Sequence, residues 1–309
     1  MSKARNLADS YTDSEIDNDV IDAKAGRKNL IINGGFDVWQ RGNSSIIANG
    51  YGSADRWKQY TAGVGGATFS KDSNGNMQIT VTGSGNGTAR VGQIVEFPEK
   101  YHGKTITFSA MVKSNNPNAR LLIDSNTQWY TETDTHSGNS DWEQLKITAT
   151  IESSGLTLLR FTVGLDGYQS ANVNLTSSDY VSIKDVQLEL GSQATDFEYR
   201  SYGEELALCQ RYYQNLIDHD NGITGYASPM PWSPNAYGHM QYVAHMRVIP
   251  SVSILNGAGI VFSGGTYSTQ NISLASLNGS TMMEFQFSTG TSGFWRSDTG
   301  CKVSLDAEL

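Results

Sequence analysis

The stretch TDFEYRSYGEELALCQRYYQNL, residues 195–216, is dense in apolar and aromatic side chains within a chain otherwise rich in Gly, Ser, Thr and Asn. Its spacing predicts a helix. Ser201 followed by Glu204 forms a Ser-x-x-Glu capping box, in which hydroxyl and carboxylate satisfy free amides at a helix start. Leu206, Cys209, Tyr213 and Leu216 or Ile217 then recur three and four residues apart, which gives one apolar face. Asp218, Asn221 and Gly222 supply the stop, so the expected helix covers 201–217. A helix of this length, on the order of 20 Å, needs tertiary packing to persist. Two partners suit it: the base of a β-domain of its own chain, or identical helices of neighbouring copies about a symmetry axis. In the second case Leu206, Cys209, Tyr213 and Leu216 are the contacts.

Upstream of the helix the period changes from 3.6 to 2. Apolar and polar residues alternate over 77–81, 106–112, 145–151, 156–165 and 180–190, with turn-forming clusters at 73–76, 83–87, 115–118, 137–139 and 153–155. Strands at this spacing, with no helices between them, predict an antiparallel β-sandwich of the jelly-roll type over 29–200. Gly34 and Gly35 permit a close backbone approach at its start, and Phe36, Val38, Trp39 and Trp57 supply apolar bulk, so both tryptophans are read as packing residues.

Downstream, 218–309 reads as short strands separated by glycine turns, predicting a second β-sandwich with its own small core. Pro250 belongs at a strand edge or break, because it cannot donate to a ladder. Residues 1–28 differ again. Asp9, Asp13, Glu15, Asp17, Asp19 and Asp22 occur with few large apolar side chains, a composition that cannot offset its ordering entropy alone and suits docking onto a partner.

Bulk composition excludes several classes. The 309 residues are 38% apolar and 17% charged, with a net charge of −9. A pI near 5.0 argues against a nucleic-acid surface. No run approaches the roughly 18 apolar residues of a membrane span, and 1–26 lacks the apolar core of a secretory signal, so synthesis in a cytoplasm without export or membrane insertion is expected. Two cysteines, Cys209 and Cys301, give no disulfide framework and no four-ligand zinc pattern. Nucleophile-elbow, phosphate-loop and His-Glu-x-x-His motifs are missing. His239 and His245 fit no zinc-ligand spacing. Glu132, Asp134, Asp141 and Glu143 lie close together in sequence, but a glycosidase needs two carboxyls set about 5–10 Å apart across a cleft, so a loop between strands is expected there and no enzymatic activity.

Three stretches, NLIINGGFDVWQRG (29–42), ADRW (54–57) and VSIKDVQLELGSQATDFEYRSYGEELALCQRYYQ (181–214), together resemble the carbohydrate-binding-module-like domain of bacteriophage tail fibre proteins. The outer two also resemble the end strands of jelly-roll carbohydrate-binding modules. MRVIPSVSI and the terminal LDAEL resemble the distal C-terminal domain of such fibres. The resemblance implies a homotrimeric structural protein of the virion tail. Residues 1–28 would join a tail or adaptor protein, and the rest would reach a host-surface polysaccharide or lipopolysaccharide. It also maps a structural calcium to Asp37 and Asp185, although calcium takes six to eight oxygens and the sequence offers two, so no cofactor is expected. A polysaccharide depolymerase and a free-standing carbohydrate-binding module are the alternatives.

Sugar rings stack on aromatic faces while amides and carboxylates bond their hydroxyls. Two stretches have that composition: 126–134, with Trp129 and Tyr130, and 226–239, with Tyr226, Trp232, Asn235 and Tyr237. The second also holds three of the six prolines, Pro229, Pro231 and Pro234, which restrict the loop.

Overall fold

The computed structural model describes residues 28–130, 134–167 and 174–218, then 242–250, 307–308 and the strands named below; side chains are described outside 217–241 and 255–302. The expected attachment segment, 1–28, lies outside the described residues except for Lys28. The chain divides into two units, one holding, among the described residues, 28–37 with 41–200, and the other 38–40 with those of 201–309.

The first unit is built on two six-stranded antiparallel sheets, with strands numbered in chain order. In spatial order the first sheet is β1 (Ser44–Ser45), β4 (Ala67–Lys71), β5 (Met77–Val81), β14 (Tyr180–Leu190), β8 (Thr105–Ser114) and β11 (Trp142–Thr150). The second is β10 (Trp129–Tyr130), β9 (Ala119–Ser125), β12 (Leu159–Asp166), β7 (Thr88–Ile94), β3 (Lys58–Ala62) and β2 (Asn49–Gly50). A two-stranded pair, β6 (Gly85–Asn86) and β13 (Asn174–Leu175), stands beside them.

Alternation along the strands sends Met77, Ile79, Ile106, Phe108 and Ile183 of one sheet, and Val91, Leu121, Ile123, Phe161 and Val163 of the other, into a shared core. Phe108 and Phe161 meet across it with ring centroids 5.5 Å apart. Trp57 is fully buried, 4.8 Å from the ring of Phe36, and its indole N–H donates to the Asn33 carbonyl at 2.9 Å. The packing role read for this tryptophan is the one the structure gives it.

The chain entry is fastened to the last strand. Leu30 N–H donates to Leu188 O and Val186 N–H to Gly34 O, flanking a bulge in β14 between Lys184 and Gln187. A Cβ on Gly34 would stand 2.2 Å from the Val186 carbonyl, so only glycine allows this approach. The buried Asn29 side chain locks the same seam, donating to Val186 O and accepting from the Leu188 amide.

In the second unit, helix α1 runs Tyr202–Gln210 with Ser201 as N-cap, its hydroxyl accepting from the Glu204 amide at 3.4 Å. The expected helix to 217 is cut short. Strand β15 (Tyr213–Asp218) pairs with β23 (Lys302–Asp306), which in turn pairs with β18 (Ser251–Leu255). Tyr213, Leu216 and Ile217 satisfy a helical spacing, but Tyr213 and Ile217 pair with a strand about 90 residues away, with Leu216 at a bulge between them, and a long-range ladder overrides a weak local preference. Gln214 supports the switch from within the core: its amide donates to Gln210 O and Ala244 O and accepts from the Val243 N–H. Pro250 immediately precedes β18, at the strand boundary where a residue without an N–H is tolerated.

The remaining strands, β16 (Gly225–Pro229), β17 (Ala236–Gln241), β19 (Ala258–Ser263), β20 (Thr266–Asn278), β21 (Met282–Phe287) and β22 (Gly293–Ser297), close in the order β16-β17-β21-β20-β19-β22. The second sandwich expected from sequence closes into a six-stranded barrel. Its two sheets share β16 and β20, and β20 turns from one to the other, with a bulge between Leu274 and Ser276.

Candidate glycan-binding face

The residues of the second sheet that point away from the core do not form an ordinary solvated surface. Register places Tyr60, Arg90, Gly164 and Arg120 in one row across β3, β7, β12 and β9, and Lys58, Gly92, Thr162 and Leu122 in the next. Ile94, Arg160, Asp124 and Trp129 make a third row, ending on β10. Gly92 and Gly164 make the face closely packed here: a Cβ would stand 2.5 Å from Thr162 Cγ2 at Gly92 and 2.5 Å from Ala89 O at Gly164, so only glycine fits at either position. The Arg90 side chain lies against Gly164, its Cγ 3.1 Å from where a Cβ would stand.

Two ion pairs and several cation–aromatic contacts cross the face. Arg160 grips Asp124 in bidentate fashion, at 3.0 Å through Nε and 2.5 Å through Nη2, while its guanidinium sits 4.8 Å from the Tyr60 ring centroid. Arg90 pairs with Asp166 at 3.4 Å and stands 5.7 Å from the Trp129 ring centroid. Burial lowers the Arg90 pKa, which Asp166 opposes; burial also works against Arg160, but the Asp124 contact outweighs it and raises that pKa. Asp124 and Asp166 are 2% and 1% exposed, and the Thr162 hydroxyl between them is buried with no hydrogen-bond partner among the described residues. Desolvated ion pairs and an unused hydroxyl are costly on the outside of a sheet, where apolar or fully solvated residues serve stability better. Their concentration in one place makes this face the candidate site.

Trp129 is the exposed aromatic of this face, with 48% of its surface open to solvent. A clasp on its own strand holds it there. The Glu152 carboxylate accepts from Ser125 Oγ at 2.5 Å, Thr127 Oγ1 at 2.6 Å and Tyr130 Oη at 2.5 Å, pinning the turn between β9 and β10. Burial raises the Glu152 pKa, but the three hydroxyl donors outweigh it and bring it down to about 2. Burial and the bond to Glu152 push Tyr130 up to about 12. Trp129 and Tyr130 also border a depression of about 380 Å³ lined by Gln128 and residues 147–150, within the size range of small-ligand sites.

Of the residues singled out in the sequence, Trp129 and Tyr130 come together here, with the tryptophan on the face and the tyrosine in the clasp. Trp232 and Asn235 lie outside the described residues. Tyr226 and Tyr237 lie on β16 and β17, with side chains outside the described set. Glu132 is also outside the described residues. Asp141 is exposed, and Glu143 accepts from the Ser137 amide and hydroxyl, which lower its pKa. That loop is organised by His136, which sequence reasoning passed over: it is 1% exposed, with Nδ1 accepting from Gly138 N–H and Nε2 against Asp141 O.

Burial raises the Asp185 pKa, and the Asp37 charge adds to that rise while Lys184 opposes it. The Lys184 ammonium lies 4.0 Å from Asp185, and no group of three His, Cys, Asp or Glu side chains among the described residues is arranged to hold a metal ion. The pair does not make a calcium site by itself. Among the expected contacts between copies, Cys209 is fully buried, Tyr213 and Leu216 are nearly so, and Leu206 is half-exposed.

No family model matches the chain, and no curated protein matches it. Among solved structures it is similar to a CBM4 module, with 20% identity over 52% of this chain and 98% of that one and a TM-score of 0.36. It is also similar to a mutant of the family 29 carbohydrate-binding module CBM29-2, with 14% identity over 48% of this chain and 84% of that one and a TM-score of 0.30. A third likeness is to the enzymatically active domain of tailspike protein 4 of bacteriophage CBA120, with 12% identity over 53% of this chain and 21% of that one and a TM-score of 0.31. At TM-scores below 0.5 these likenesses carry no inference about ligand or activity.

Proposed function

We propose that the first unit is a non-catalytic glycan-binding module whose site is the outer face of the second sheet. The carrying observation is a half-exposed Trp129 ring, held by Arg90 and the Glu152 clasp beside a glycine-floored, ion-paired surface. An indole face of this kind stacks on a pyranose ring, and polar groups around the face bond its hydroxyls. The finer reading rests on the sequence resemblance. In it the chain is a homotrimeric bacteriophage tail fibre protein in the virion tail, joined to the tail through 1–28 and directed at host-surface polysaccharide or lipopolysaccharide. Weak contacts repeated in three copies then add through avidity.

Affinity electrophoresis in gels cast with lipopolysaccharide, mannan, dextran or polygalacturonate tests the site. The account expects retention on at least one polymer, a loss of tenfold or more in affinity for Trp129→Ala, and no change in melting temperature. Unchanged retention of Trp129→Ala refutes the site, and release of reducing ends refutes the non-catalytic reading.

A further inference from the structure

We infer that this face selects acidic glycans, with Lys58 as the residue that meets their anionic groups. The inference rests on the glycan-binding reading above and names the class of ligand. Lys58 lies in the row of Gly92 and Thr162, at the β3 end of the face. Its ammonium stands 5.8 Å from the ring centroids of both Tyr51 and Tyr60. Unlike Arg90 and Arg160, Lys58 has no carboxylate partner among the described residues.

Two tyrosine faces therefore hold a cation in place through its charge while leaving its three N–H donors to an incoming group. A neutral sugar needs no such group, because hydroxyls are served by the neutral and paired donors already present. A carboxylate, sulfate or phosphate on the sugar gains a charge-assisted bond there, in a place where half-burial weakens screening.

The surroundings point the same way. The Arg41 guanidinium also lies 5.4 Å from the Tyr51 ring centroid, and Arg120 lies close enough to Asp166 to feel its charge. Arg41, Lys58, Arg90, Arg120 and Arg160 thus gather on one face with Asp124 and Asp166, within a chain whose net charge is −9. Overall composition does not foreshadow this gathering of cations. Six strands at about 4.8 Å spacing place its two edges roughly 24 Å apart, enough for several sugar units carrying repeated charges.

The test sets polygalacturonate beside its carboxyl-reduced form, and dextran sulfate beside dextran, in affinity gels with the full chain and with Lys58→Gln and Lys58→Arg. The expected result is at least tenfold tighter binding to one acidic polymer than to its neutral counterpart. Lys58→Gln should erase that preference without changing the melting temperature, and Lys58→Arg should keep most of it. The carboxylate and sulfate arms then separate the two anionic groups. Equal binding to acidic and neutral partners overturns the acidic inference and leaves glycan binding standing. A preference that survives in Lys58→Gln overturns the role of Lys58. Failure to bind any polymer, here or among those of the earlier panel, overturns the glycan reading itself.

Discussion

Replacing Glu152 by Gln should loosen the turn that presents Trp129, and the effect should depend on pH in a defined direction. The carboxylate accepts three hydroxyl donors, two on Oε1 and one on Oε2. A charge-assisted hydrogen bond is worth about 1 kcal/mol more than a neutral one, so three set an upper bound of ~3 kcal/mol. Glu152 is only half-buried, and solvent competition reduces this to about 1–2 kcal/mol. Because the folded-state pKa is depressed from 4.5 to about 2, the stabilisation is fully present above pH 4.5 and is lost as pH falls toward 2. Urea melts of wild type and Glu152→Gln at a series of pH values measure this. The stability gap should be about 1–2 kcal/mol at neutral pH, shrink below pH 4.5 and nearly vanish at pH 2. A gap that stays constant across that range, or no gap at neutral pH, refutes the clasp.

Two further substitutions probe the sheet and its core. Trp57→Ala removes a fully buried indole and its hydrogen bond to Asn33 O, and should cost about 3–5 kcal/mol in urea melts; a loss below ~1 kcal/mol contradicts the packing described. Thr162→Val replaces a buried hydroxyl lacking a partner by an isosteric methyl, so stability should hold or rise by up to ~1 kcal/mol. A clear drop in stability contradicts the placement of that hydroxyl.

The fold was legible where one face of a strand is buried and the other is not. Met77–Val81 alternates strictly between buried and half-buried, and its strand was read to the residue, as was Tyr180–Leu190. The helix start was legible because Ser201 caps locally. Its end was not, because the partner that turns Tyr213–Asp218 into a strand lies at 302–306, and no local pattern reports it.

The site divides in the same way. Trp129 and Tyr130 stand out in a polar stretch, so composition alone marks them. Arg90, Asp124, Arg160 and Asp166 come from three strands separated by turns, and only the register of the ladder brings them together. Lys58 is invisible for the same reason. In sequence it follows a buried tryptophan and looks like any solvated lysine.

The account stands most directly on where a bound glycan touches the chain. Hydroxyl-radical footprinting, with oligosaccharides of whichever polymer the chain retains, reads side-chain exposure residue by residue. Protection of Trp129, Tyr60 and Tyr51 is the predicted result. Protection confined to 218–309, with those three rings as reactive as in the free protein, would contradict it.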